Sequence, residues 1–252
     1  MGRVTATDRR AMLLATAGLA LAAGCAARNA TRNAVARPAH SAGTAPALPA
    51  LPALPAQLTH GPRDRPRVAL TFHGNGDPAI ARALLTEAEK HGARVTVLAV
   101  GTWLDAYPGI ARRVLDGGHD LGNHTLHHLD INAMSEAEAR AEIVGCAERI
   151  RRLTGSAGTW FRPSRTPTAS PLVTRLAREA GYPHVLSYDV DSLDFTSPGA
   201  TAVARKVLAE IREGSVVSLH FGYADTVAAL PVVLEELDRR GLAAVTTTEL
   251  FS

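Results

Sequence analysis

Ten histidines are spread over 252 residues, and two of them, His124 and His128, stand four apart. That spacing places both rings on one face of a helix or turn, and neutral imidazoles suit zinc at about 2.0–2.1 Å. A solvated pair of loop histidines has the same spacing, so the pair needs further ligands before it defines a metal site. Other reactive residues end or follow apolar runs. His73 ends Val68–His73, Arg162 ends Thr159–Arg162 and His220 follows Val216–Leu219, while Asp189 and Asp191 follow Val185. A histidine in such a place suits general acid–base work, because its charge changes near neutral pH. Asp77 stands before Pro78. That pair reads equally as a helix N-cap with proline in the first turn and as a catalytic carboxylate.

Alternating strands and helices must carry these residues. Strand-like runs fall at Val68–His73, Arg94–Val100, His119–Asn123, Thr159–Arg162, Val185–Asp189, Ser215–Phe221 and Ala243–Thr247. Helical spacing fills Asp77–His91, Tyr107–Leu115, Ser135–Leu153, Ala169–Ala180, Ala200–Arg212 and Thr226–Arg240. Strand–helix alternation implies parallel pairing through right-handed crossovers, and about seven units predict an α/β fold, a closed or partly closed parallel (β/α) barrel. In such barrels the chemistry gathers at the C-terminal strand ends. His73, His124, His128, Arg162, Asp189, Asp191 and His220 all map to that rim.

These residues also carry a family resemblance. His119-Asp120-Leu121-Gly122-Asn123-His124-Thr125-Leu126-His127-His128 resembles the His-Thr-x-x-His metal motif of polysaccharide deacetylases, the NodB-like carbohydrate esterases. Trp160-Phe161-Arg162-Pro163 is similar to their Arg-Pro motif, and Asp191-Ser192-Leu193-Asp194-Phe195 to their Asp-x-x-Asp-Trp motif. Val216–His220 resembles the strand bearing their catalytic histidine. The resemblance runs from Arg67 to the C-terminus with the motifs in order. It implies a deformed parallel β/α barrel and removal of acetyl groups from an acetylated glycan, peptidoglycan or chitin-like, with a divalent metal. Zinc is the expected ion. A metal polarises the acyl carbonyl and acidifies water, a base takes the water proton, and an acid protonates the departing amine. The resemblance implies His124 and His128 as ligands, His220 as the acid, Asp194 as the residue orienting it, and Arg162 as the residue orienting the base.

The first motif departs from the family. Where the family has Thr-Phe-Asp-Asp-Gly, this chain has Thr71-Phe72-His73-Gly74-Asn75-Gly76-Asp77-Pro78. His73 takes the place of the base and Gly74 that of a ligand. Two repairs are open. In the favoured one His73 joins His124 and His128 as third ligand and Asp77 is the base. In the other Asp77 binds the metal and His73 is the base. Three more departures, Arg165, Phe195 and Ser218, fall where the family lines its acetyl pocket, and imply a more polar substrate site.

The chain outside the domain reads as an address and a tether. Residues 1–25 have Arg9-Arg10, an uncharged run from Ala11 to Ala23, and then Gly24-Cys25. The run is too short for an ordinary membrane span and suits a signal-peptide core. Asp8–Leu13 resembles a twin-arginine signal and Leu21–Cys25 a lipoprotein processing box, so Cys25 is expected to carry a lipid that anchors an exported protein to the membrane. Residues 26–66, with seven of the 15 prolines, read as a linker. Residues 1–66 hold eight Arg and two Asp, leaving a net charge of −3 on residues 67–252 of a chain that totals +3. The basic character therefore belongs to address and linker, and no nucleic-acid partner is expected. Two cysteines exclude a disulfide scaffold or a four-cysteine zinc site.

Overall fold

The computed structural model describes residues 54–252. The signal segment, Cys25 and most of the Pro/Ala repeat lie outside the described residues. The described chain runs β1 (Gln57–Leu58), β2 (Arg67–Gly74), α1 (Pro78–Lys90), β3 (Thr96–Ala99), α2 (Gly101–Ala106), α3 (Gly109–Asp116), β4 (Asp120–Asn123), α4 (Glu136–Thr154) and α5 (Pro171–Glu179). It continues with β5 (Val185–Leu186), β6 (Val190–Asp191), α6 (Ala200–Glu210), β7 (Val216–His220), α7 (Ala224–Arg239), β8 (Ala243–Ala244) and α8 (Thr247–Leu250).

The strands pair in parallel in the order β4-β3-β2-β7-β6, with β8 also on β2. Beyond β4, single parallel bridges join Asn123 to Phe161 and Phe161 to Val185, and β5 pairs with β1. The result is a barrel-like α/β fold whose ladder thins to single bridges on one side.

Period-two alternation explains how the centre is built. Val68, Leu70 and Phe72 of β2 pack with Leu84 and Leu85 of α1 and with Leu234 of α7. Ala69 points the other way and packs with Leu98, Leu186 and Val216, beside Trp160. Ala69, Thr71 and His73 therefore share the inner face of β2, as Val216, Ser218 and His220 share that of β7. Register pairs His73 with His220. Burying a side chain the size of Phe72 or Leu70 is worth roughly 1.5–3 kcal/mol, so the strand is held strongly in the orientation that sends His73 inward.

Helix ends follow their capping residues. Asp77 caps α1 with Pro78 in the first turn. Ser135 and Glu138 form a reciprocal capping box on α4, which stops at Gly155 with φ 87°. Four expectations need correction. The domain begins before Arg67: Leu58 is buried, β1 pairs with β5, and Arg63 forms an ion pair with Asp189 at 2.7 Å. Helix α2 was not expected, because its N-cap Val100 offers no side-chain bond and no capping residue announces it. Thr159–Arg162 contributes a single bridging residue, Phe161. The run Ala243–Thr247 ends early because Thr246 and Glu249 form a capping box that turns the chain into α8.

Candidate metal and acid–base site

The rim histidines converge. His73 stands 4.2 Å from His220 and 4.3 Å from His124 between ring centroids, and His124 stands 4.8 Å from His128. One ring nitrogen from each of His73, His124 and His128 lies within 4.8 Å of the others. His124 follows directly on β4, and its Nδ1 lies 3.0 Å from the carbonyl of Arg162. A carbonyl only accepts, so Nδ1 carries the proton and Nε2 keeps a lone pair. That Nε2 is buried and has no hydrogen-bond partner among the described residues. A buried lone pair without a donor is unfavourable, and a cation among the three rings removes the deficit. The donor set therefore fits a divalent metal.

Electrostatics point the same way. Burial holds His73 and His124 well below the ordinary imidazole range, and the neighbouring imidazoles and the Arg162 guanidinium push them lower. His128 is lowered by burial, then by Arg165 and His220. Neutral rings are the ligand form of histidine.

His220 belongs to a second pair. Asp194, fully buried in a 3-10 turn after β6, places one carboxylate oxygen 2.7 Å from His220 Nδ1. Its other oxygen accepts from the His220 backbone N–H at 2.8 Å and from the Thr226 hydroxyl at 2.7 Å. Burial pushes the Asp194 carboxyl up, but the hydrogen bonds from His220 and Thr226 outweigh it and hold the group below its ordinary range. Asp194 thus stays a carboxylate and fixes Nδ1 as the protonated nitrogen, leaving His220 Nε2 for chemistry. A cavity of about 270 Å³ opens onto His73, His128, His220 and Tyr223, closed on one side by Gly76 and Gly222. A Cβ on Gly76 (φ 102°) would lie 2.8 Å from Gly222 Cα, so the two rim loops meet only because of glycine.

The profile of the family described as polysaccharide deacetylase matches residues 60–185. A peptidoglycan-N-acetylglucosamine deacetylase of Bacillus cereus is 31% identical over 194 residues, covering 75% of this chain and 90% of that protein. The chain belongs to the polysaccharide deacetylase family. A chitooligosaccharide deacetylase of a Bradyrhizobium species is 31% identical over 192 residues, covering 69% of this chain and 85% of that protein. A solved CE4 family pseudoenzyme from Bacillus anthracis shares the fold, with TM-score 0.75 and 22% identity over 79% of this chain and 70% of that one.

Within this member of the family the remaining expected residues divide. Asp77 is exposed, and its carboxylate accepts from Ala79 N–H at 2.8 Å as the cap of α1. It lies outside both the histidine cluster and the cavity lining. The capping bond is made within the same turn. Arg162 orients no carboxylate: Nε and Nη2 donate to the carbonyls of Leu186 and Ser187 at 3.2 and 3.0 Å, and Nη1 is buried without a partner. Burial pulls its guanidinium down to about 10. Ser218 is buried and lies 3.1 Å from His73 Nε2, so it supports a cluster histidine and does not line the cavity. Phe195, 45% exposed, meets His220 edge-on at 5.3 Å between centroids. Arg165 is exposed at the rim with φ 57°. Asp191 accepts from Leu193 N–H, and Asp189 bonds Arg63, Ser215 and Val216 at the start of β7, the end opposite His220.

Three supports were missed. Thr226, 32 positions from Asp194, gave no local signal. Asn123 donates to the Ile143 carbonyl at 2.8 Å and accepts from Thr125 N–H at 2.9 Å. Glu142 bonds His127, the histidine between His124 and His128. Its signal was available, since it falls on the buried stripe of α4 with Ala139, Ile143 and Cys146.

Proposed function

We propose that this protein is an exported, lipid-anchored hydrolase that removes acetyl groups from an N-acetylated glycan with the help of a divalent cation, zinc by the donor set. The observation that carries the reading is three converging imidazoles, one with an orphaned buried Nε2, beside a histidine–aspartate pair whose carboxylate is buried. His73, His124 and His128 would hold the ion. Bound there, a divalent cation supplies polarisation of the acyl carbonyl and acidification of water.

His220 carries the proton work. Asp194 holds its Nδ1–H and balances the charge that Nε2 acquires on taking a proton. The same nitrogen then gives that proton to the departing amine. With Asp77 engaged as a helix cap, His220 serves as both base and acid. Phe195 and Tyr223 flank it and offer apolar faces to a sugar ring. Peptidoglycan N-acetylglucosamine and chitooligosaccharides are the substrates that the names of the relatives support.

Acetate release by the purified protein from peptidoglycan fragments and chitooligomers, measured beside its metal content, tests this. Release from either substrate with about one bound cation is expected; no release from both, or no bound metal, sinks it. A weaker reading, a glycan-binding protein with little turnover, draws on the absence, among the described residues, of any carboxylate from the cavity lining. Glycan binding without acetate would favour it. For the anchor, labelled fatty acid is expected to enter the native protein and not Cys25→Ala.

A further inference from the structure

His127 separates the two histidines of the β4 loop and takes no place in the cavity. Its side chain is about half in solvent, at 53% exposure. Its partner is of another kind. Glu142 stands on α4 with 6% exposure, one oxygen accepting from the His127 backbone N–H at 2.8 Å and the other 2.6 Å from His127 Nδ1. A carboxylate removed from water is unfavourable unless its oxygens are well bonded, and here both are bonded to one residue of the loop.

The loop needs such a hold. Thr125 and His128 have φ of 70° and 59°, in the left-handed region that residues with a Cβ adopt reluctantly. Local bonds shape the turn: Asn123 accepts from Thr125 N–H, and the Thr125 hydroxyl accepts from His128 N–H. Several contacts tie it to the rest of the barrel: the backbone N–H groups of Gly101 and Thr102 donate to the carbonyls of Thr125 and Leu126, each at 2.9 Å. Ser164 bonds Thr125 and the Leu129 carbonyl on one side. Glu142 bonds His127 on the other.

We propose that Glu142, acting through His127, is the positioning residue that keeps His124 and His128 at the spacing a divalent cation needs. The inference rests on the metal-site reading above. Without Glu142 the His127 amide loses its acceptor, and among the described residues no other hydrogen bond holds His127 between the two histidines. The ion must then order its own ligands, and affinity falls.

Zinc affinity, by competition with a chromogenic chelator, is measured for the full protein and for Glu142→Gln, Glu142→Leu and His127→Ala. Amide hydrogen exchange across residues 125–128 is followed in the same proteins without metal. Glutamine keeps both bonds, its carbonyl accepting from the amide and its NH₂ donating to Nδ1, so it stays within about threefold of the parent. Leucine weakens zinc binding by about 10–100-fold, the usual effect of losing an outer support, and speeds exchange in the loop. His127→Ala, which keeps the amide bond, falls between. A folded leucine variant with parental zinc affinity and parental exchange overturns the proposal. Should the leucine variant fail to fold, His127→Ala with unchanged affinity and exchange overturns it equally. A parent protein that binds no zinc overturns the metal-site reading instead, and the exchange comparison still decides whether Glu142 holds the loop.

Discussion

Two rim loops face each other across the cavity, and they are built differently. The loop after β4 has its polar groups tied to distant elements: Asn123 to Ile143, His124 to Arg162, Thr125 to Ser164 and His127 to Glu142. In the loop after β2 the side chains bond locally, and the distant tie is to backbone, the Trp103 indole N–H donating to the Gly76 carbonyl at 2.8 Å. Asn75 accepts from Gly76 N–H, Asp77 from Ala79 N–H, and all three of Asn75, Gly76 and Asp77 are exposed. Long-range ties hold a side chain where chemistry needs it, whereas short-range ties satisfy a residue where it stands. The first loop keeps the family motif, and the second has lost both carboxylates of its own.

Substitutions can break this contrast. The largest effect is expected from His124→Ala, which removes the ligand with the orphaned nitrogen. Metal affinity should fall by at least about 100-fold and acetate release to background; retained metal by elemental analysis would place the site elsewhere. Next comes Asp194→Asn. It should lower kcat by about 10²–10⁴-fold with metal content unchanged, the range for losing a tuned acid–base group. A parallel loss of metal would make Asp194 structural.

Acid should then weaken the metal-free fold. Burial lowers the folded-state values of His73 and His124, so the unfolded chain takes up protons first as pH falls through about 6.5. Stability present above that pH is lost below it. Thermal unfolding of metal-free protein between pH 8 and pH 5.5 checks the sign, and a Tm that rises on acidification refutes it. The smallest effect belongs to Asp77→Ala: about 1 kcal/mol of stability for the lost cap, with kcat within about twofold. Lost turnover with metal retained would return the base to Asp77.

Much of this was legible in the sequence. The four-residue spacing of His124 and His128, the apolar run ending at His73, and the position of His220 all read correctly, because strand and turn periodicity are local properties. So did the start of α4 at Ser135, whereas Asp77 read equally as a helix cap and as a catalytic carboxylate. Ser218 was placed on the substrate side because its partner His73 lies 145 positions away, and only strand register brings them together. The start of the domain was misplaced for the same reason. Gln57-Leu58 looks like the end of a proline-rich linker until Val185-Leu186 is set beside it.

That early start has a mechanical side. Any load on the chain preceding residue 54 enters the domain through β1, the Leu58 contact and the Arg63–Asp189 pair. Tension is therefore received by β5 and by the start of β7, where Gly61 N–H donates to the Gly214 carbonyl. His73 and His220 sit at the other ends of their strands. If the chain is anchored as proposed, drag would strain the seam first and leave the histidine rim still aligned.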